Sequence, residues 1–146
     1  MDQSNVEILL IDDDEVDVEG VLRSLKKMGV QNRVTVAGDG LEGLQALRGE
    51  GDYDGISDAC IVLLDLKMPR MNGLEFLKEL RNDPELKHTI VFVLTTSDNG
   101  SDKFEAYSYN VAGYILKSNV GDNYAELISL LESFWKVVVL PERMAG

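Results

Sequence analysis

A single cysteine, Cys60, stands in the 146 residues, so no internal disulfide can brace the chain. Its neighbours Ala59 and Ile61 are apolar, which marks it as a small buried hydrophobe and not a nucleophile. Positive charge is scarce: 14 Lys and Arg face 26 Asp and Glu, a net charge of −12, and no basic run exceeds Lys26-Lys27. Nucleic-acid binding needs clustered cations that displace phosphate counterions, so this balance argues against it. Long apolar runs are also missing. Residues 61–64 and 137–140 are among the longest, far short of the roughly 20 that span a membrane. The opening Met1-Asp2-Gln3-Ser4-Asn5 lacks the charged-then-apolar order of a signal peptide, which predicts a cytoplasmic protein. What is present is ordinary globular composition, 45% apolar and 27% charged, in a length that buries roughly 70% of its unfolded surface. One sizeable core is expected.

Short apolar runs at 6–11, 33–37, 59–64, 89–94 and 113–116 predict five buried strands. Between them Val18, Val21, Leu22, Leu25 and Met28 recur at helical spacing, as do Leu41, Leu44 and Leu47, then Leu74, Leu77 and Leu80, then Phe104, Tyr107, Ser108 and Val111. A fifth helix is predicted over about 122–135. Asp14 with Asp17, Asp39 with Glu42 and Asn72 with Glu75 have the spacing of reciprocal helix caps. Strict alternation of strand and helix implies an α/β fold, a parallel sheet covered on both faces. The one long loop, 49–58, with three glycines and four acids, predicts a solvated surface insertion.

Open α/β sheets bind ligands beyond the carboxyl ends of their strands. There the sequence places Asp12, Asp13, Asp14 and Glu15 after the first strand, Asp65 after the third, Thr95 after the fourth and Lys117 after the fifth. Carboxylates crowded at neighbouring strand ends must take up protons or a cation. Oxygen-only ligands without His or Cys suit a hard ion such as Mg²⁺, which also accepts phosphate oxygens. Lys117 as a point charge and Thr95 as a hydroxyl donor would complete a shell for a phosphoryl group. Residues 12–15 taken alone also read as a helix N-cap cluster favoured by the dipole.

The segment Asp65-Leu66-Lys67-Met68-Pro69-Arg70-Met71-Asn72-Gly73, preceded by Asp12-Asp13 and followed by Thr95 and Lys117, closely resembles the receiver domain of two-component response regulators. The resemblance covers Val6 to about Trp135. It implies a doubly wound five-stranded parallel sheet of flavodoxin-like order 2-1-3-4-5 with five helices, and one receiver domain over 1–146, with a core at about 6–135 and an extension at 136–146. It implies that Asp65 is the phosphoacceptor for a sensor histidine kinase. Asp13 would be a direct Mg²⁺ ligand, Asp12 would act largely through water, and Asp65 and the Lys67 carbonyl oxygen would complete the set. Thr95 would hydrogen-bond the phosphoryl oxygen, Lys117 would neutralise it, and Tyr114 would be the aromatic switch that moves with Thr95. Lys67 and Ser97, two residues past Asp65 and Thr95, occupy positions that gate water, and Lys67 is expected to overhang the acyl phosphate. His88, beside Lys87, has no phosphorelay context and reads as solvated.

One departure stands out: family members usually carry proline after the active-site lysine, often with a cis peptide, where this chain has Ser118. A cis bond before a non-proline residue costs roughly 2.5 to 4 kcal/mol. Either that strain is held or the loop runs differently. After the fifth helix only residues 136–146 remain, so output is expected through association. That helix is apolar at Tyr124, Leu127, Ile128, Leu130, Leu131, Phe134 and Trp135, wider than one core stripe needs. Together with the tail 137–141 it resembles the stand-alone receivers that serve bacterial phytochrome kinases. Those commonly form homodimers through the face made by helix 4, strand 5 and helix 5; the competing expectation is a tail folded over its own core. Two further readings compete with the phosphorylated receiver. One is a pseudo-receiver that dimerises without phosphorylation. The other is a haloacid-dehalogenase-type phosphatase, whose Asp-x-Asp-x-Val start Asp12 to Val16 also matches.

Overall fold

The computed structural model describes residues 6–141 apart from 122. Strands β1 (Glu7–Ile11), β2 (Val34–Ala37), β3 (Cys60–Leu64), β4 (Ile90–Thr95) and β5 (Gly113–Leu116) pair in parallel in the order β2-β1-β3-β4-β5. This is the flavodoxin-like sheet expected from the sequence. Helices α1 (Glu15–Lys27), α2 (Gly40–Arg48), α3 (Gly73–Asn82), α4 (Gly100–Ser108) and α5 (Ala125–Val137) connect and follow them. Every residue of β1 and β3 is buried. The cause is that successive side chains leave a strand on opposite faces and both faces are covered. Leu9, Ile11, Val62 and Leu64 pack with Leu44, Phe76, Leu77 and Leu80 of α2 and α3. Ile8, Leu10, Ile61 and Leu63 pack with Val21 and Leu25 of α1 and with Leu127, Ile128 and Leu131 of α5. Each such fully buried side chain contributes roughly 1.5 to 3 kcal/mol. Cys60 is buried, and His88 is exposed.

Of the three expected reciprocal caps only Asn72 with Glu75 is complete. Asp39 Oδ1 accepts the Glu42 amide at 2.9 Å, but Glu42 turns its own carboxylate to the Gly38 amide. Asp14 accepts from the amides of Val16 and Asp17, while the Asp17 side chain points to other partners.

Three expectations are corrected. α4 stops at Ser108, because Asn110 takes a left-handed conformation (φ 61°) that turns the chain toward β5. Phe104 and Tyr107 therefore do not form a core stripe with Val111: they are 79% and 52% exposed, and α4 docks through Ala106. α5 begins at Ala125, after Tyr124 in a left-handed conformation (φ 55°). Its apolar width is mostly consumed by its own sheet: Tyr124, Leu127, Ile128, Leu131 and Trp135 are buried, and Phe134 meets Phe92 edge to face at 5.1 Å. The tail divides. Leu140 folds onto the same core, whereas Val137 and Val139 are 81% and 78% exposed. The insertion at 49–58 is the solvated surface segment expected, with only Ile56 buried, and it is anchored by the Tyr53 hydroxyl, which donates to Glu42 at 3.2 Å, and by the Ser57 amide, which donates to the Glu7 carboxylate.

Candidate functional site

Parallel pairing sets Ile11 beside Leu64 and Thr95 beside Leu116. The ladder runs one residue past the strands, with the Asp12 amide donating to Ala37 at 3.0 Å and the Asp65 amide to Ile11 at 2.9 Å. Both acids are thus held at the sheet edge by backbone bonds. Gly73 opens α3 directly against this edge: a Cβ there would lie 2.5 Å from the Asp65 carbonyl oxygen and 2.7 Å from the Leu66 Cα. Only glycine allows that approach.

Carboxylate oxygens of Asp12, Asp13 and Asp65 lie within 4.8 Å of one another. Asp12 and Asp65 are 4% and 7% exposed, and Asp13 faces solvent. Lys117 Nζ donates to Asp17 at 2.6 Å, Asp12 at 2.8 Å and Asp65 at 3.3 Å. The buried Thr95 hydroxyl donates to Asp65 Oδ1 at 2.9 Å, and the Lys67 amide donates to the same oxygen at 3.3 Å. Burial pushes the Asp12 carboxyl up to about 6, an effect only partly offset by the hydrogen bonds from Lys117 and the Asp14 amide. Burial alone would lower Lys117, but the Asp12 and Asp17 carboxylates outweigh it and hold the ammonium above the ordinary lysine range. Lys117 therefore stays charged in a site with excess negative charge.

Every peptide bond among the described residues is trans. Lys117–Asn119 form a 3-10 turn instead, and Lys117 still reaches the carboxylates. With Ser118 after it, Lys117 lies in this turn and its ammonium reaches Asp12, Asp17 and Asp65.

The remaining expected residues cluster beside this centre. Lys67, exposed, pairs with Asp102 at 3.4 Å, and Ser97 Oγ donates to the same carboxylate at 2.6 Å. The Ser97 hydrogen bond, followed by Lys67, holds the Asp102 carboxyl below its ordinary range. The half-buried Tyr114 donates its hydroxyl to the Ser97 carbonyl at 2.8 Å. Three residues here escaped the sequence reading. Asp17 reads in sequence as a capping partner and Tyr124 as part of an apolar face, and Asp102 carried no expectation at all. The available signal for Asp17 was its place in the first turn after the β1 acids.

The profile of the response regulator receiver domain matches residues 8–129. The chain belongs to that family. Response regulator Rcp1 of Synechocystis sp. is 34% identical over 135 residues, covering 92% of each chain. Among solved structures, the phosphorylated cyanobacterial phytochrome response regulator RcpA is 34% identical with a TM-score of 0.80, covering 93% of this chain and 98% of its own. The Mn²⁺-bound form of Rcp1 is 33% identical with a TM-score of 0.79, covering 92% and 98%. The receiver domain is a signalling module of two-component systems and not a classical enzyme. Its cofactor is Mg²⁺, and Asp12, Asp13 and Asp65 form the acidic cluster that fits it. All three donors are carboxylate oxygens, the ligand class a hard cation takes. The dehalogenase-type reading is not favoured: it leaves Asp65 and its ring of partners without a role.

Proposed function

We propose that Asp65 is the phosphoacceptor and that this chain relays a signal from a sensor histidine kinase by accepting its phosphoryl group. In that transfer an Asp65 carboxylate oxygen attacks phosphorus, the bond from phosphorus to the histidine nitrogen breaks, and the imidazole leaves and regains a proton from solvent. The observation that carries the reading is the convergence on Asp65 of one ammonium, one buried hydroxyl and two further carboxylates. Bound Mg²⁺ supplies neutralisation of phosphoryl charge. Asp13 and Asp65 would hold it directly, with the Lys67 carbonyl oxygen, and Asp12 largely through water. Lys117 offers a second cation to the phosphoryl oxygens, and Thr95 offers a hydroxyl proton. Labelling from acetyl phosphate tests this on a phosphate-affinity gel. It is expected to require Mg²⁺ and to vanish in Asp65→Asn. Labelling that survives in Asp65→Asn overturns the assignment, and no labelling of the wild type favours the phosphorylation-independent pseudo-receiver.

The switch reading joins Thr95 to Tyr114. A phosphoryl oxygen that recruits the Thr95 hydroxyl removes it from Asp65, and the Ser97 amide, which donates to Thr95 Oγ1 at 3.3 Å, moves with it. Tyr114 is bonded to that same Ser97 and so feels the shift. Lys67 is the water gate: its ammonium sits on Asp102 at the rim, and Lys67→Ala is expected to change acyl-phosphate lifetime.

The relatives favour a bacteriophytochrome-type kinase as the phosphate source, since RcpA and a bacteriophytochrome response regulator, RtBRR, both align with this chain. The chain would act as one receiver domain in the cytoplasm. It carries no helix, among the described residues, long and apolar enough to cross a membrane. Output would pass through a homodimer built on α4, β5, α5 and the tail, where Phe104, Tyr107, Val137 and Val139 are exposed apolar side chains. Sedimentation is expected to give a dimer at high micromolar concentration, and a monomer there removes this interface.

A further inference from the structure

Lys117 does not face the site alone. An ammonium has three protons to donate, and here all three have carboxylate partners, the nearest of which is Asp17 of α1 and not the proposed phosphoacceptor Asp65. Asp17 in turn accepts the Tyr124 hydroxyl through its other oxygen at 3.0 Å. Tyr124 is the residue immediately before α5. It has no side-chain cap of its own, and its left-handed backbone is a conformation that a non-glycine residue keeps only when its surroundings fix it. Two contacts fix it: the bond to Asp17, and a ring pressed so closely on α1 that a Cβ on Gly20 would fall 2.7 Å from Tyr124 Cε2.

We infer that Asp17 is a positioning residue that shares Lys117 with the phosphorylation site and couples the state of Asp65, through Tyr124, to the first turn of α5. In the unphosphorylated chain Asp17 draws the ammonium toward α1 and holds the Tyr124 hydroxyl. A phosphoryl group on Asp65 carries about −1.5 to −2 of charge where the free carboxylate carries −1, and it brings further strong acceptor oxygens. These compete for the same three protons and draw Lys117 away from Asp17. Asp17 then loses its buried cation, its geometry relaxes and Tyr124 loses a fixed acceptor. The first turn of α5 loosens. This route is separate from Thr95 and Tyr114, which lie toward α4. It rests on the proposal that Asp65 accepts the phosphoryl group, because only charge gained there moves Lys117.

The test is amide hydrogen exchange of the segment 124–131 in the full chain, with and without beryllofluoride and Mg²⁺ as the phosphoryl mimic, alongside acetyl phosphate labelling. In the wild type the mimic is expected to raise exchange there roughly fivefold, the effect of losing one hydrogen bond on local opening. Asp17→Asn removes the charge that holds Lys117, and Tyr124→Phe keeps the ring but removes the hydroxyl. Both are expected to exchange fast in this segment without the mimic and to respond little to it. Tyr124→Phe is expected to label at the wild-type rate. A merely structural role would lower the melting temperature of either variant but would leave the response to the mimic in place. Label on the wild type with no change in α5 overturns the coupling alone, as does a full response in either variant. A wild type that takes no label overturns the phosphoacceptor reading and the coupling with it.

Discussion

Removing one acid from the site is expected to stabilise the metal-free chain and to abolish its response to Mg²⁺, and Asp13→Asn is the sharpest case. Asp13 is exposed, and its oxygen lies within 4.8 Å of those of Asp12 and Asp65. At 4.8 Å two like charges repel by about 0.9 kcal/mol even at the dielectric constant of water. The Lys117 ammonium, bonded to both Asp12 and Asp65, offsets much of this repulsion, so Asp13→Asn is a gain of at most about 1 kcal/mol at pH 8, where Asp12, pushed up to about 6 by burial, is ionised. In a domain of this size that raises Tm by at most about 3 °C. Mg²⁺ at a hundredfold excess over its Kd should add about 2.7 kcal/mol to the wild type and little to the variant. The assay is thermal melting followed by far-UV circular dichroism at low salt, in EDTA and then in excess Mg²⁺. Half-molar salt should shrink the gain in EDTA, because exposed charges are screened. An Asp13→Asn chain that melts below the wild type in EDTA refutes the repulsion argument. One that keeps the full Mg²⁺ increment removes Asp13 from the ligand set.

Arg81 is half-buried and donates to the carbonyls of Tyr109, Lys87, Thr89 and Asn110 at 2.6 to 3.2 Å, which ties α3 to the loops before β4 and β5. Arg81→Met keeps the bulk and loses these charged donors, so urea melts should show a loss of about 3 kcal/mol with labelling at Asp65 retained. Gly73→Ala forces a Cβ against the Asp65 carbonyl. It should lower both urea stability and the labelling rate, and a silent Gly73→Ala would show that α3 can withdraw freely. Burial, reinforced by the Asp17 carboxylate, raises the Tyr124 phenol to about 12. Because the folded state favours the neutral phenol, this contribution is full below the ordinary tyrosine value near 10 and is lost as pH rises through about 12. Ultraviolet titration should therefore show a late tyrosine that ionises earlier in Asp17→Asn and is missing from Tyr124→Phe.

Sheet order and strand-end chemistry were legible because both depend on local pattern. Continuous apolar runs marked strands buried on two faces, and the acid, hydroxyl or lysine following each run had to fall at one edge of a parallel sheet. Asp12, Asp65, Thr95 and Lys117 accordingly meet at hydrogen-bond distance. Helix ends and exposed faces were harder to read. Phe104 and Tyr107 have core-like spacing, yet the turn at Asn110 leaves them outside, and no periodicity reports a left-handed residue beyond the helix. The width of α5 was read as surplus for a partner. The sheet instead absorbs both of its aromatic ridges, through Trp135 in the core and Phe134 against Phe92. Asp17 was invisible as a site residue because its partners are 100 and 107 positions away, and a cap acid and a lysine ligand look alike in sequence.

The uneven anchoring of the helices bears on where a signal can leave the site. Along its length α5 buries Leu127, Ile128, Leu131 and Trp135, whereas α4 buries only Ala106. Segments with few buried apolar contacts open at the lowest free energy, so α4 is the helix that small forces can move. Those forces arrive at its first turn. Asn99 caps α4, and Asp102 is bonded to Ser97, which also accepts from Tyr114 and donates its amide to Thr95. A displacement of Thr95 toward a phosphoryl oxygen thus reaches α4 through hydrogen bonds at a single residue, Ser97. The apolar rings it would reorient, Phe104 and Tyr107, are already in solvent, with the Tyr107 ring tilted 33° to that of Tyr114 at 6.4 Å. Moving α4 disturbs only the core contact of Ala106 and so costs little hydrophobic energy, while it reshapes the surface a partner would read. The firmly packed α5 can respond only at its start, where Tyr124 is held by a hydrogen bond to Asp17. The two routes make separable demands: Ser97→Ala should blunt the α4 response to the phosphoryl mimic while leaving exchange at Tyr124 responsive, and loss of both together would mean that one rigid body carries the signal.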